Sequence, residues 1–186
     1  MTIAERSSLA TVALLVGDAL RRRGIAAVLT GGACAGLHTR GAFHSLDVDF
    51  VLTSEPDVQD LDSVLASLGF RREGNRYVHS RSRYFVEFPR GPLAVGRDRV
   101  LRPARWRRGD AWMFVLSATD SCRDRLAAFY HWSDRQSLAV AAQIAVRNRV
   151  DMTRIRAWSE GEGHAVRFEE FRAEVARRRR GRAGHI

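Results

Sequence analysis

Apolar residues recur at helical spacing through Leu9, Val12, Leu15, Val16 and Leu20, which predicts an amphipathic helix over residues 3–23 stopped by Gly24. A short apolar run at 25–29 reads as a strand, Thr30-Gly31-Gly32 as a turn, and 33–39 as a small helix. Residues 46–52 form a second strand in this pattern. Leu46, Val48, Phe50 and Leu52 fall on one face, and Asp47 and Asp49 on the other, because strand side chains alternate. A turn at 53–56 supplies cap residues for a helix at 57–68, ended by Gly69. Strands follow at 70–72, 76–79 and 84–88, the last broken by Pro89 and Gly91-Pro92. Residues 93–108 read as loop with room for one short strand, and 112–116 as a further strand. Beyond Ser117 the period becomes helical throughout, at 118–131, 133–147, 151–160 and 164–180. The pattern predicts an α/β fold, a mixed sheet flanked by helices and followed by a C-terminal helical part. The expected division is 1–116 for the α/β unit, 117–180 for the helical unit and 181–186 for a basic tail.

Composition narrows the class. A chain of 186 residues suits one domain with a helical extension. A hydrophobic content of 45% excludes a disordered chain. No apolar run approaches the ~18 residues of a membrane span. The best stretch, 9–20, is broken by Asp18 and followed by Arg21-Arg22-Arg23, which also disqualifies it as a secretion signal. A soluble cytoplasmic protein without membrane contact is expected. Cys34 and Cys122 lie outside any metal-ligand spacing and read as small buried hydrophobes with free thiols. Cys34, His38 and His44 together fall short of a zinc site, although the two histidines stand where they would line a pocket between the glycines and Asp47.

Charge changes the picture more. The formal net charge is +10, and all 31 basic residues are arginine. Codon bias accounts for the missing lysine as readily as function does, but not for the excess charge. Twelve arginines against three acids lie between Arg71 and Arg108, and a second run, Arg177–Arg180 with Arg182, ends the chain. Guanidinium groups stay protonated and grip phosphate with a planar fork, so a polyanion, nucleic acid first, is the expected partner. Trp106, Trp112, Phe129, Tyr130, Trp132 and Trp158 are core candidates before they are stacking surfaces for bases, while Tyr84 beside Arg83 is a better stacking candidate.

The informative chemistry is the aspartate pair. Residues two apart on a strand are roughly 6.5–7 Å apart at Cα, a spacing at which two carboxylates can converge on metal ions. Like charges on one face repel, so a cation between them is expected, and an all-oxygen donor set favours Mg2+ or Mn2+. A merely wet edge strand is the alternative. Gly31 and Gly32 let the backbone approach a ligand, and the helix behind them points free N–H groups at the same spot, as phosphate binding requires. No Gly-Lys-Ser/Thr follows, so this is not a Walker A loop.

The run Thr30-Gly31-Gly32, fourteen residues, then Asp47-Val48-Asp49 resembles the signature of the DNA polymerase β-like nucleotidyltransferase superfamily. It is most similar to the bacterial group that includes the AbiEii and MenT toxins, over roughly residues 10–135. The spacer is slightly longer than usual, and Ala33 stands where a serine is often found. The resemblance implies a nucleotidyltransferase-type fold and a third carboxylate on a later strand, for which Glu87 is the candidate in place of the usual aspartate. It also implies a basic residue and a further aspartate in the helical part. Arg125 (or Arg123) would replace the family's lysine, and Asp134 would match the aspartate. A tertiary salt-bridge lattice on the helices is the competing account of these residues.

These readings imply a metal-dependent enzyme that moves a nucleoside monophosphate from a nucleoside triphosphate to a hydroxyl and releases pyrophosphate. Asp47, Asp49 and Glu87 would be catalytic and metal-binding, and Gly31, Gly32, Arg83, Arg125 and Asp134 nucleotide-binding. RNA is the expected acceptor, the 3′ end of tRNA if the toxin resemblance holds, and a toxin would have an antitoxin partner. Two other readings stay open: a small-molecule (antibiotic) nucleotidyltransferase, which the arginine surplus disfavours because aminoglycosides are polycations, and a catalytically retired module that binds RNA or a partner.

Overall fold

The computed structural model describes residues 2–183. Its centre is a seven-stranded mixed sheet in the order β3-β4-β5-β2-β1-β9-β8. The strands are β1 (Ala27–Leu29), β2 (Asp47–Leu52), β3 (Phe70–Glu73), β4 (Arg76–His79), β5 (Phe85–Glu87), β8 (Ala104–Arg108) and β9 (Ala111–Val115). A separate two-stranded hairpin, β6 (Ala94–Val95) and β7 (Asp98–Arg99), fills the stretch that reads as loop in the sequence. Helices α1 (Leu9–Arg22), α2 (Gly31–His38) and α3 (Val58–Ser67) are interleaved with the strands. Then α4 (Ala118–Trp132), α5 (Arg135–Arg147), α6 (Met152–Gly161) and α7 (Ala165–Ala183) form the C-terminal helical part. The fold is thus mixed α/β, as the hydrophobic pattern predicts.

Local chemistry sets most of these boundaries. α1 begins at Leu9 rather than near Ile3, because the Ser8 hydroxyl accepts from Thr11 N–H and caps the helix there. α2 begins at Gly31, inside the expected turn, so both glycines belong to its first turn. Ser117, Asp134 and Asp151 each accept from backbone N–H groups and start α4, α5 and α6. Of the expected tail at 181–186, residues 181–183 continue α7, and 184–186 lie outside the described residues. No helix among the described residues is long and apolar enough to cross a membrane.

The two faces of the sheet differ. Val48 and Phe50 are fully buried and share their face with Met113 and Tyr77. α1 crosses this face with Gly17 against the sheet, where a Cβ would come 2.6 Å from Met113 Cβ. α3 is tied to the same side by Tyr77, whose hydroxyl donates to Asp62 at 2.5 Å. The opposite face carries Asp47, Asp49 and Glu87, all partly exposed. Leu46 lies just outside β2 and is 51% exposed, so the apolar face of this strand begins at Val48. Both cysteines are free and buried, as expected.

A candidate active site on the polar sheet face

β2 lies between β1, antiparallel to it, and β5, parallel to it. The β2–β5 register sets Asp47 opposite Phe85 and Asp49 opposite Glu87. Residues opposite each other on neighbouring strands point to the same face, so the three carboxylates form one acidic row. The charges feel one another. Burial, then the neighbouring Asp47 and Glu87 charges, push the Asp49 carboxyl up to about 6, while Arg125 opposes the rise. A repelling set of this kind attracts a cation or a proton.

The first turn of α2 meets this row directly. Thr30 N–H donates to the Asp49 carbonyl at 2.9 Å, which holds the start of α2 against β2. Gly31 adopts φ +61, and a Cβ there would collide with the Asp49 carboxylate. At Gly32 a Cβ would lie 2.7 Å from Ser45 Oγ. The glycine pair therefore lets backbone N–H groups at a helix N-terminus approach the carboxylates, and Thr30 adds no side-chain cap that would occupy them. Gly31→Ala is expected to destabilise the fold by about 1 kcal/mol from the left-handed backbone alone. It should also displace Asp49, so nucleotide binding should fall further than the melting temperature does; calorimetry on both would show this.

The C-terminal helices bring in the next charges. Arg125, paired with Asp124 at 2.7 Å, acts on Asp49, and Asp124 does so with opposite sign. The same Arg125 charge acts on Asp134, whose carboxyl is held below its ordinary value chiefly by the Ser137 hydroxyl. Asp134 is occupied as the cap of α5, accepting from Gln136 N–H at 2.9 Å and from Ser137 Oγ–H at 2.6 Å. Arg123, the other candidate for the basic position, points into the core instead. It is wholly buried and bound to Asp98 at 2.5 Å and Asp120 at 3.0 Å. Asp124 is a charge near the row that the sequence reading passes over; its place beside Arg125 on α4 was the available signal.

Arg83 does not join the acidic row. It stacks over Tyr84 at 5.0 Å, donates to that hydroxyl at 2.9 Å, and lines a cavity of about 920 Å3. His38 and His44 line the same cavity. His38 Nε2 lies 2.9 Å from the Leu116 carbonyl, which can only accept, so this nitrogen carries the hydrogen; burial lowers the pKa of the ring. None of the three carboxylates lines this cavity. Among the aromatic residues, Phe129, Tyr130 and Trp158 are core, Trp132 is 77% exposed, and Trp112 lies between Arg21 at 4.5 Å and Arg105 at 4.8 Å.

Among the described residues no three His, Cys, Asp or Glu side chains are gathered closely enough to hold a metal ion by themselves. The donor set nonetheless fits a hard divalent cation. Mg2+ is commonly held by one or two carboxylates together with water and substrate phosphate, rather than by a closed protein cage. Asp49 and its neighbours would supply the carboxylates, and the start of α2 packs against Asp49.

No family model matches the chain, and no curated protein matches its sequence. Among solved structures, a solution structure of the antibiotic-resistance factor ANT(2'')-Ia, described as revealing substrate-regulated conformation dynamics, aligns with this chain. The match covers 88% of this chain and 98% of that one, at 12% identity and a TM-score of 0.46.

Proposed function

We propose that the chain is a metal-dependent nucleotidyltransferase that uses a nucleoside triphosphate and an RNA hydroxyl. The observation that carries this reading is the β2–β5 register, which sets Glu87 beside Asp49 on the face of Asp47, with Gly31 packed against the Asp49 carboxylate. Asp47, Asp49 and Glu87 would hold the cation. When bound, Mg2+ or Mn2+ would offset phosphate charge and lower the pKa of the acceptor hydroxyl.

The residues of the chain divide the remaining work. N–H groups at Gly31 and Gly32 hold the triphosphate at the helix N-terminus. Arg125 offsets charge that builds on the phosphates in the transition state, a role its influence on Asp49 supports. The acceptor oxygen forms a bond to the α-phosphorus, the bond to the bridging oxygen breaks, and pyrophosphate leaves. The hydroxyl proton passes to a carboxylate of the acidic row, Glu87 in our assignment. Asp134 acts on this site through Arg125 and the start of α5, not by touching the nucleotide.

RNA is favoured as acceptor by the arginine surplus between Arg71 and Arg108, which would repel a polycationic antibiotic. The toxin resemblance extends the proposal to the 3′ end of tRNA and to a toxin with an antitoxin partner in the cytoplasm. A second reading is a retired module that binds RNA or a partner protein through the same arginine surplus. One experiment separates them: incubation with total RNA, Mg2+ and each labelled nucleoside triphosphate in turn. The enzyme should label one RNA size class with one nucleotide and lose this in EDTA. Salt-sensitive RNA binding without any labelled product would leave the binding module standing instead.

A further inference from the structure

The cavity of about 920 Å3 is distinct from the acidic row, and nothing in the transfer chemistry above uses it. Its size is that of a pocket for a ligand of nucleotide dimensions. Its lining combines two chemistries. Arg6, Arg40 and Arg83 reach it from three separate segments, and none pairs with a carboxylate among the described residues. Phe43 and Trp106 supply aromatic surface, and Tyr84 is buried beneath Arg83. Glu5 is the only acid in the lining, so the cavity carries a surplus of positive charge. The carbonyl end of α2, which would otherwise oppose an anion, is already engaged. Asn148 donates to the His38 carbonyl at 2.9 Å, Arg147 to the Thr39 carbonyl at 2.5 Å, and Gly41 N–H to the Gly36 carbonyl at 2.9 Å.

The cavity also lies close to the acidic row along the chain. Phe43 is four residues before Asp47, so their Cα atoms are at most roughly 14 Å apart. Tyr84 directly precedes Phe85, the strand partner of Asp47. A ligand in the cavity would therefore sit toward the Asp47 end of the row.

We propose that this cavity is a second nucleotide site, binding the phosphorylated terminal nucleotide of the acceptor apart from the triphosphate and its metal. Three guanidinium groups without a carboxylate partner fit a phosphate, aromatic surfaces fit a base, and the lining excludes a polycationic aminosugar. The identity of the occupant as acceptor rests on the transferase reading; the capacity to bind a nucleoside monophosphate does not.

Isothermal titration of the full chain with AMP, CMP, GMP and UMP in EDTA tests this. At least one monophosphate should bind at one site without a divalent metal, and the matching nucleoside, lacking phosphate, should bind more weakly. The double variant Arg40→Gln/Arg83→Gln should weaken binding at least about tenfold with an unchanged melting temperature. Should the double variant not fold, each single variant should still weaken binding several-fold. Trp106→Ala should weaken it as well, and kanamycin should not bind. Absence of binding by all four monophosphates, wild-type affinity in the folded arginine variants, or comparable binding of kanamycin would overturn the proposal. RNA labelling that proceeds without monophosphate binding would overturn this site alone. Monophosphate binding without any labelling would overturn the transferase reading alone.

Discussion

Asp49→Asn is expected to abolish nucleotidyl transfer and, in metal-free protein, to raise the melting temperature. The two effects have one cause. Folding buries the Asp49 carboxyl and places it among Asp47 and Glu87, so its pKa rises from 3.8 to about 6. Between those values the folded protein holds a proton that the unfolded chain has released. The stability contributed by the protonated form is complete below about pH 4 and lost as the pH rises through about 6. At pH 7 the ionised group therefore opposes folding, by about 1–2 kcal/mol after allowance for partial solvent screening. Asparagine keeps the shape and removes the charge. Thermal unfolding in EDTA should show a gain of a few degrees at pH 7, at roughly 2–4 °C per kcal/mol, and a flatter dependence on pH between 4 and 6. Activity should fall about a thousandfold or more, because the loss of a metal-holding carboxylate removes several kcal/mol of transition-state stabilisation. Mg2+ with nucleotide should stabilise the wild type and not the variant. A variant that loses stability in EDTA would contradict the cost of burying this charge beside Asp47 and Glu87.

Arg123→Ala carries the largest expected effect on stability. The guanidinium is wholly buried between Asp98 at 2.5 Å and Asp120 at 3.0 Å, and lies over the Trp158 ring at 4.9 Å. Asp120 is itself 2% exposed and also receives Arg154 at 2.9 Å and the Ser117 hydroxyl at 2.7 Å. The network fastens the β6–β7 hairpin to the C-terminal helices, and Glu162 adds a second tie by accepting from Arg97 N–H at 2.9 Å. Truncation leaves Asp120 with Arg154 as its remaining cation, takes from Asp98 its partner, and opens a void beside Trp158. Breaking such a pair from one side costs about 3–5 kcal/mol, a large part of the ~5–15 kcal/mol that a domain has. Urea unfolding should place Arg123→Met between the wild type and Arg123→Ala, since methionine restores volume but not charge. A loss below about 1 kcal/mol for Arg123→Ala would mean that Arg154 and the Ser117 hydroxyl suffice to hold Asp120.

The two arginines of the Arg123-Asp124-Arg125 motif show what a linear motif leaves open. On a helix, residues two apart do not share a face, so one of them turns inward whenever the other faces the carboxylates. The sequence offers both for the basic position; helix packing against β6–β7 sends Arg123 to the core and leaves Arg125 near Asp49. Asp134 likewise matches a motif but works as a helix cap. Arg83 was expected on the triphosphate and lines the separate cavity.

What the sequence by itself determined is the content of each element. Period-two alternation over 47–52 puts Asp47 and Asp49 on one face, Gly31-Gly32 marks the close approach before them, and the local pattern places six of the seven helices among the described residues to within a few residues, while Ser8 sets a later start for the first. These are local properties, written in spacing and side-chain chemistry. Tertiary structure alone decided which elements meet. The parallel pairing of β2 with β5 aligns Glu87 with Asp49, and a one-residue slip would have turned Glu87 to the opposite face. The β6–β7 hairpin and β8 emerge from a stretch with no clear period, because partners supply their order: Asp98 through Arg123, and β8 through its pairing with β9. The cavity, gathered from residues between Glu5 and Asn148, exists only once the chain has folded, since no spacing records contacts between segments so far apart.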